Sequence, residues 1–439
     1  MLDNNIPQPW RARTTLVLTL TLVAMGLGNI QRLPYLIGEH GGGLFFLTYV
    51  LAVLVLSVPV LIAEVVIGSL GRGSPSRAMH WAASAANADS RWSHLALAHA
   101  AMTLVLSAVS IMMAVWSVHW TMAIYSGDLG SASIRDVSTA LTSMLEDSPR
   151  QFVQGLVAIG LVIALSGSGV RFGMGLLAWI VLPCIAIALL GVLDFVFVHT
   201  DLRPVTDFLF AIDTDAWRVE SMWSALTSAG ITLGAGLGLG IALGTQAPQS
   251  LPWARSILAA AVLDSAFLVV VAIILCAMLF EVNVAPVEGL AALFVAMPYA
   301  FANLPLGDAY GALFFMSMAA IAGSAAVILM EPCVQLFSRD WGLGRASGAV
   351  LAGTAIALII ALLLFTTEEA LINVGNFLVA AVLPLSFLAT SLFVGWWMPR
   401  PVLRGELYRE PLWLFRVWWF AIRWLVPPVA VAWSLQVWL

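Results

Sequence analysis

The amino-acid sequence predicts an all-α polytopic membrane protein in which two five-helix halves form an inverted repeat and one extra span follows. Composition is the first reason, since 61% of the 439 residues are hydrophobic and only 10% are charged, a balance foreign to water-soluble domains. The second is that eleven stretches approach the about 20 apolar residues that a helix needs to cross the bilayer core. The third is that the first and sixth stretches, which hold equivalent places in the two halves, are both interrupted by glycine.

The predicted spans fill most of the chain. In order, they lie near 14–38, 44–69, 95–124, 152–168, 173–196, 222–245, 255–280, 309–336, 346–365, 371–397 and 413–438. We expect spans one to five to form a first repeat, about 14–196, and spans six to ten a second, about 222–397. The stretch 413–438 is the extra span, and residues 1–439 make a single membrane domain.

The loops differ in charge between the two sides of the membrane. Arginines such as Arg72 and Arg339 gather in loops on the side of the N-terminus, whereas acids such as Asp213 and Glu288 gather on the other side. Arginine-rich loops remain in the cytoplasm. We therefore expect a multi-pass protein of the cell's inner (cytoplasmic) membrane with its N-terminus in the cytoplasm.

The sequence carries no pattern typical of an enzyme or of a nucleic-acid-binding protein. It has no nucleotide-binding loop and no catalytic triad, and the intramembrane His119 has no acid or nucleophile near it in sequence. The three cysteines, Cys184, Cys276 and Cys333, lie in apolar runs, which favours ordinary packing over a disulfide. We predict neither catalysis nor nucleic-acid binding.

The glycine interruptions indicate what the two halves are for. The first span contains MGLGN at 25–29, and the sixth contains TLGAGLGLGIALG at 232–244. Each glycine costs about 1 kcal/mol relative to alanine inside a helix, so both segments are expected to unwind near the bilayer midplane. Unwound backbone at that depth is tolerated where it is buried in protein or lines a cavity. Two such breaks in equivalent positions are typical of inverted-repeat transporters.

The first interrupted span closely resembles the signature of the neurotransmitter:sodium symporter family. Its segment GLGNIQRLPYLIGEHGGGLFF, at 26–46, matches the family's Gly-Asn-x-x-Arg-hydrophobic-Pro run followed by a glycine triplet. The likeness continues in PVLIAEVVIGSLGR at 59–72, VLDSAFLVVVAIIL at 262–275 and GSAAVILMEP at 323–332. The resemblance implies a divergent bacterial member with eleven spans and a leucine-transporter-like fold. It also implies sodium-coupled symport of an amino acid, or a related amine or zwitterion, by alternating access.

The resemblance places a first sodium site at the break of the first span, with the Ala24 carbonyl and the Asn29 side chain as ligands. The family's seventh-span ligand falls at Leu263 or Asp264, and we favour Asp264 because it is the only acid in that span. The family's sixth-span hydroxyl aligns with Gly234, which has no side-chain oxygen. Asp264 could bind the cation or supply the negative charge that chloride supplies in other members, so chloride is not expected to be required.

A second sodium site is implied between the first and eighth spans, so that one or two sodium ions are expected. The resemblance assigns to it the carbonyls of Leu22, Met25 and Ile321 and the hydroxyl of Ser324. The family's second hydroxyl aligns with Ala325, so this site keeps one of its two hydroxyls.

The implied solute pocket departs from the family. Its tyrosine that grips a substrate carboxylate aligns with Ala114, and its aromatic lid aligns with Leu233. A carboxylate would then meet only the backbone amides of the first break. The pocket residues implied are Leu27, Gly28, Ser110, Ala114, Leu233, Gly236 and Leu239. Such a pocket is apolar and roomy, which favours a bulkier or less typical solute.

Two gates are also implied. Arg32 is the family's outer-gate arginine, and the acids nearest its expected tenth-span partner are Glu368 and Glu369. On the cytoplasmic side, Arg11 or Arg13 would pair with Asp340.

Two alternatives to sodium symport stay open at this point. One is proton-driven transport that uses Asp264, and the other is a receptor or scaffold that kept the fold after losing its pocket. The expected partners are a small-molecule solute, sodium and the lipid bilayer, and the expected state is a monomer or a weak homodimer.

Overall fold

The computed structural model describes residues 13–130, 132–248, 251–367 and 370–438. Within these ranges the protein is helical, and its one piece of β structure is an isolated antiparallel bridge between Gly42 and Ile212. Ten helices are long and apolar enough to cross a membrane, and a bent pair makes the eleventh span. The predicted number of spans is confirmed.

Span 1 is the bent pair, Arg13–Ala24 and Leu27–Glu39, whose halves meet at 49°. The other spans are Gly43–Gly71 (span 2), Ser90–Tyr125 (span 3), Ser148–Gly167 (span 4), Phe172–His199 (span 5), Val219–Gln246 (span 6), Trp253–Glu281 (span 7), Gly307–Asp340 (span 8), Arg345–Leu364 (span 9), Ala370–Trp397 (span 10) and Leu412–Gln436 (span 11). Shorter helices in the connections are Pro75–Ala85, Ile134–Glu146, Arg203–Phe210, Ala292–Ala302 and Arg400–Glu406.

Spans 1 and 6 both break where their glycines predicted. In span 1 the helix ends at Ala24, Gly26 has an extended backbone (φ −55°, ψ 140°), and helix resumes at Leu27. In span 6 the regular helix ends at Ile231 and resumes at Leu239. Between them lies the segment 232–238, in which four residues have a left-handed backbone conformation.

That segment shows why span 6 is rich in glycine. Gly234, Gly236 and Gly238 have φ of +65°, +74° and +68°, which a residue without Cβ adopts at little cost. Leu233 lies in the same region at φ +66°, where a side chain costs roughly 1–2 kcal/mol. The surrounding packing must therefore hold Leu233 in place, and it is fully buried.

The two breaks lie against each other in the centre of the helix bundle. A Cβ on Gly28 of span 1 would lie 3.8 Å from Ile231 of span 6, and a Cβ on Gly234 would lie 3.5 Å from Val23. Span 1 also packs against spans 7 and 8. Unwound backbone from both halves thus meets at one place, which is where the site is built.

Candidate functional site

A group of polar side chains joins the two breaks. The Asn29 amide nitrogen of span 1 donates to the Thr232 hydroxyl of span 6 at 2.7 Å. The Thr232 hydroxyl donates to the Ser228 carbonyl at 3.0 Å, and it lies 3.0 Å from the Tyr49 hydroxyl. Because its single proton goes to Ser228, Thr232 accepts from both other groups. The Asn29 side-chain oxygen, Oδ1, is left buried with no hydrogen-bond partner.

Asn29 is one of the residues that line a small enclosure beside the break of span 1. The enclosure is lined by Ala24, Met25, Gly26, Asn29, Ile30, Tyr49, Asp264, Phe267 and Leu268. Asp264 is 4% exposed, whereas its neighbour Leu263 is 43% exposed on the opposite side of span 7. Of the two residues that the sequence left open, the structure therefore brings Asp264 to the break.

The enclosure suits a small hard cation. An amide oxygen without a donor, a carboxylate and the free backbone of the break supply oxygen atoms, which are the ligands that such cations prefer. A buried carboxylate with no compensating charge is costly, and a bound monovalent cation would compensate it. The residues predicted for the first site, Ala24, Asn29 and Asp264, all line this enclosure.

The expectation that span 6 lost its hydroxyl at this site is corrected by the structure. The hydroxyl comes from Thr232, two residues before Gly234, and it contacts Asn29 directly. The glycines at 234, 236, 238 and 240 repeat with a period of two, so a shift of two residues in the alignment leaves the glycine pattern almost unchanged. Thr232 was therefore missed, although it stands at the start of the glycine run.

The residues predicted for the second cation site are all buried. Ser324 of span 8 is buried and its hydroxyl has no hydrogen-bond partner. Spans 1 and 8 pack against each other, with Leu22 and Ile321 fully buried. Met25 is buried at the end of the first half of span 1. The buried, unpartnered Ser324 hydroxyl is the one of these groups that could serve as a side-chain ligand.

A cavity of about 540 Å³ adjoins the enclosure, and Gly26 lines both. The cavity walls come from spans 1, 3, 6, 8 and 10 and from the loop before span 8. Its lining is Val23, Gly26, Leu27, Gly28, Gln31, Arg32, Leu106, Val109, Ser110, Met113, Thr227, Ile231, Gly234, Leu237, Glu288, Gly289, Leu290, Ala322, Ala325, Leu329, Ile372, Gly375, Asn376, Val379 and Ala380. Most of this surface is apolar, and among the described residues its charged members are Arg32 and Glu288.

The structure brings only part of the predicted solute pocket to this cavity. Leu27, Gly28 and Ser110 line it. Ala114, Leu233, Gly236 and Leu239 do not line it. Leu233 and Leu239 are fully buried, and Gly236 packs against Phe387. Span 6 contributes Ile231, Gly234 and Leu237 instead, as the two-residue shift would require.

An ion pair lies at the mouth of the cavity. Arg32 Nε is 2.7 Å from Glu288 Oε1, with side-chain exposures of 30% and 39%. The acids expected to pair with Arg32, Glu368 and Glu369, lie outside the described residues, and that pairing stays a prediction. Glu288 belongs to the loop between spans 7 and 8, and we call this side of the molecule the Glu288 face. The sequence did not indicate this pairing because 256 residues separate Arg32 from Glu288.

A second, buried ion pair lies beyond the opposite end of the cavity. Leu329 lines the cavity, and two residues later Glu331 makes two bonds to Arg345 of span 9, at 2.9 and 2.6 Å. Glu331 also accepts from Gln246 of span 6 at 2.6 Å and from Gln335 at 3.0 Å. These contacts tie spans 6, 8 and 9 together, and we call this side the Arg345 face.

Near this face, the pair predicted between Arg13 and Asp340 is not formed. Asp340 pairs with Arg77 at 3.1 Å and accepts a hydrogen bond from Ser74. Arg13 instead donates to the Ser256 hydroxyl and the Arg255 carbonyl, each at 3.1 Å. The other candidate, Arg11, lies outside the described residues. Asp340 is thus held by its neighbours on the same face and is not available to Arg13.

Comparisons with known proteins find related membrane transporters. The sequence model of the sodium:neurotransmitter symporter family matches residues 8–139. The uncharacterised sodium-dependent transporter YhdH of Bacillus subtilis is 24% identical, over 96% of this chain and 95% of its own. The uncharacterised sodium-dependent transporter MJ1319 of Methanocaldococcus jannaschii is 22% identical, over 96% of this chain and 88% of its own.

A solved structure has the same fold. The crystal structure of MhsT in complex with L-phenylalanine superposes with a TM-score of 0.84 at 22% identity, and covers 98% of this chain and 100% of that one. The fold is thus that of the leucine-transporter-like inverted repeat, with broken spans 1 and 6 and one extra span. With the first-span motif and relatives that match along the whole chain, these comparisons support a multi-pass, sodium-dependent membrane transporter that is similar to the sodium:neurotransmitter symporter family.

Proposed function

We propose that this protein is a symporter that uses the sodium gradient to carry a small organic solute through the cavity by alternating access. One observation supports coupling above all others. Gly26 lines both the oxygen-rich enclosure and the solute-sized cavity. A cation that orders the break of span 1 would therefore shape one wall of the cavity, and a solute there would in turn favour the ion-bound backbone.

The first sodium ion is proposed to lie in the enclosure. Its ligands would be the Ala24 carbonyl, Asn29 Oδ1 and the Asp264 carboxylate, and the Thr232 hydroxyl would hold the Asn29 amide group in position. Asp264 would provide the negative charge beside the ion, which is why we propose that chloride is not required. A second ion would use the carbonyls and hydroxyl already assigned to spans 1 and 8, with Ser324 as its side-chain ligand.

The solute is proposed to be an amino acid or a related amine or zwitterion with a large apolar part. The cavity walls from spans 3, 6, 8 and 10 are mainly aliphatic, and no tyrosine stands at Ala114. Polar contact would come from the backbone of Leu27 and Gly28 and from the Ser110 hydroxyl. Arg32 would be shared with Glu288, so it offers less to a solute carboxylate than a free arginine would.

The two ion pairs are proposed as the gates of the cycle. The Glu288 face would lie outside the cell and the Arg345 face in the cytoplasm, in keeping with the arginine-rich loops of the latter. The cavity reaches the Arg32–Glu288 pair, so this arrangement corresponds to a state entered from the Glu288 face. Passage to the other side would require the Glu331 network to separate.

Reconstitution in sealed liposomes tests the proposal. Uptake of a tritiated mixture of neutral amino acids is measured with an inward sodium gradient, with an equal potassium gradient, and with a proton gradient in sodium-free buffer. We expect saturable uptake with sodium only. Equal uptake with sodium and potassium would contradict the proposal.

A proton coupling is the second candidate, because Asp264 is the one carboxylate that lines the enclosure. Uptake driven by the proton gradient without sodium would favour it over sodium coupling. Absence of uptake under every gradient, together with absence of thermal stabilisation by any solute, would favour a receptor or scaffold role.

A further inference from the structure

A buried histidine of span 3 contacts the break of span 6. His99 of span 3 is 1% exposed, and its ring nitrogen Nε2 lies 2.7 Å from the hydroxyl of Ser386 in span 10. The Ser386 hydroxyl also bonds to the carbonyl of Gly236, within the left-handed segment of span 6. These contacts form a chain from span 3 through span 10 to the break.

The chemistry of the three groups fixes the direction of the chain. A carbonyl oxygen only accepts hydrogen bonds, so the single Ser386 proton points to Gly236. The Ser386 oxygen must then accept from His99, whose proton therefore sits on Nε2. The other ring nitrogen, Nδ1, has no hydrogen-bond partner. His99 thus acts as a neutral donor that orients the serine.

The His99 ring also packs directly on the backbone of the break. A Cβ on Gly238 would lie 2.6 Å from His99 Cβ and 2.7 Å from its Nδ1, so only glycine fits at that position. On the far side, the amides of Gly238 and Gly240 donate to the buried carboxyl group of Glu64 of span 2, at 2.9 and 3.0 Å. The break is held between Glu64 on one side and the His99–Ser386 pair on the other.

We propose that His99 is a positioning residue of the transport site. Acting through Ser386, it fixes the Gly236 carbonyl and so sets the course of the backbone that supplies Gly234 and Leu237 to the cavity wall. Its significance for transport rests on the proposed function. Its effect on the break can be measured without any solute.

Hydrogen–deuterium exchange of the purified protein, read on peptides that cover 232–246, provides the measurement. His99→Gln places an amide nitrogen where Nε2 lies, whereas the shorter His99→Asn cannot reach Ser386. His119→Asn is the matched control, because it makes the same change elsewhere on span 3. We expect His99→Asn to speed exchange in these peptides roughly fivefold, as loss of one hydrogen bond would, and His99→Gln and His119→Asn to leave it within about twofold.

Two results would overturn the proposal. One is wild-type exchange in His99→Asn, and the other is faster exchange across all spans in His99→Asn and His99→Gln alike, which marks a merely structural role. Ser386→Ala supplies an independent check. It should reproduce the local effect of His99→Asn. The double variant His99→Asn, Ser386→Ala should exchange no faster than either single variant, since both changes break the same chain of hydrogen bonds. Additive effects of the two substitutions would count against the proposal.

The two proposals can fail separately. If sodium drives no uptake while His99→Asn still loosens 232–246 and His99→Gln restores it, the positioning role stands and the symport proposal fails. If sodium-driven uptake is found and the solute half-saturation concentration is unchanged in His99→Asn, the positioning role fails and symport stands.

Discussion

The two ends of the cavity are closed by ion pairs of very different character. The Arg32–Glu288 pair is a single contact between two side chains that are each about one-third exposed. The Arg345–Glu331 pair is doubly bonded, its carboxylate is fully buried, and two glutamines from spans 6 and 8 complete it. Exposed pairs contribute about 0–1 kcal/mol to stability, whereas breaking a buried pair costs roughly 3–5 kcal/mol.

In the proposed cycle, this difference would favour opening at the Glu288 face over opening at the Arg345 face. Thermal motion can open a single exposed pair at little cost, so a solute would enter readily from the Glu288 face. The Arg345 face is closed by a network that no single side-chain movement opens. Opening there must be driven by a change in the breaks themselves, and span 6 provides a link because Gln246 lies at the end of its second half.

The largest expected effect is at Glu331. Replacing it by alanine leaves Arg345 mostly buried without a counter-charge, so Glu331→Ala should lower the free energy of unfolding by about 3 kcal/mol. Reversible unfolding in mixed micelles measures this. The double variant Glu331→Met, Arg345→Met removes both charges and should lose less than the single change. A single-variant loss below about 1 kcal/mol would remove the contrast between the two ends.

A smaller effect is expected at the edge of the same network. Gln335 donates to Glu331 and to the Ala242 carbonyl, at 3.0 and 2.9 Å, and accepts from Thr245 at 2.8 Å. Gln335→Leu should cost about 2 kcal/mol because it leaves buried polar groups unpaired. It should also raise labelling of a cysteine placed at Leu329, measured with a thiol reagent added on the Arg345 face. Unchanged labelling would mean that the network does not close that side.

The smallest effect on stability is expected at the exposed pair. Glu288→Gln should change the free energy of unfolding by less than about 1 kcal/mol, with Glu281→Gln at the end of span 7 as control. Labelling of a cysteine at Ser110 from the Glu288 face should nevertheless increase. Raising potassium chloride from 0.1 to 1 M shortens the screening length from about 10 to 3 Å, and should mimic Glu288→Gln while leaving the buried pair intact. A stability loss as large as that of Glu331→Ala would show that the two ends are equivalent.

The fold and the first-span half of the site could be predicted from the sequence because their signals are local. Gly26, Gly28, Asn29 and Arg32 stand within one turn or two of each other, so spacing alone indicates a break and its ligands. Asp264 could be selected as a candidate because an acid in an apolar membrane span usually has a functional role.

The rest of the site depends on contacts between residues far apart in the chain. Glu288, the partner of Arg32, lies in the loop between spans 7 and 8. The Arg345–Glu331 pair forms only when spans 8 and 9 pack against each other. Thr232 was missed for a different reason, since the repeating glycines of span 6 do not fix an alignment register. The same two-residue shift in the alignment of span 6 explains why Leu239 and Gly236 pack away from the cavity.

The most direct test of the account is sodium binding at the enclosure between the two breaks. Thermal unfolding of the purified protein is followed while sodium chloride replaces potassium chloride at constant ionic strength, for wild type, Asp264→Asn and the exposed control Asp308→Asn. We predict sodium-specific stabilisation of the wild type and the control, and an apparent sodium affinity at least about tenfold weaker in Asp264→Asn, because a charge-assisted contact is worth roughly 1.5–3 kcal/mol. Equal stabilisation by both salts, or an unchanged sodium affinity in Asp264→Asn, would contradict the central claim.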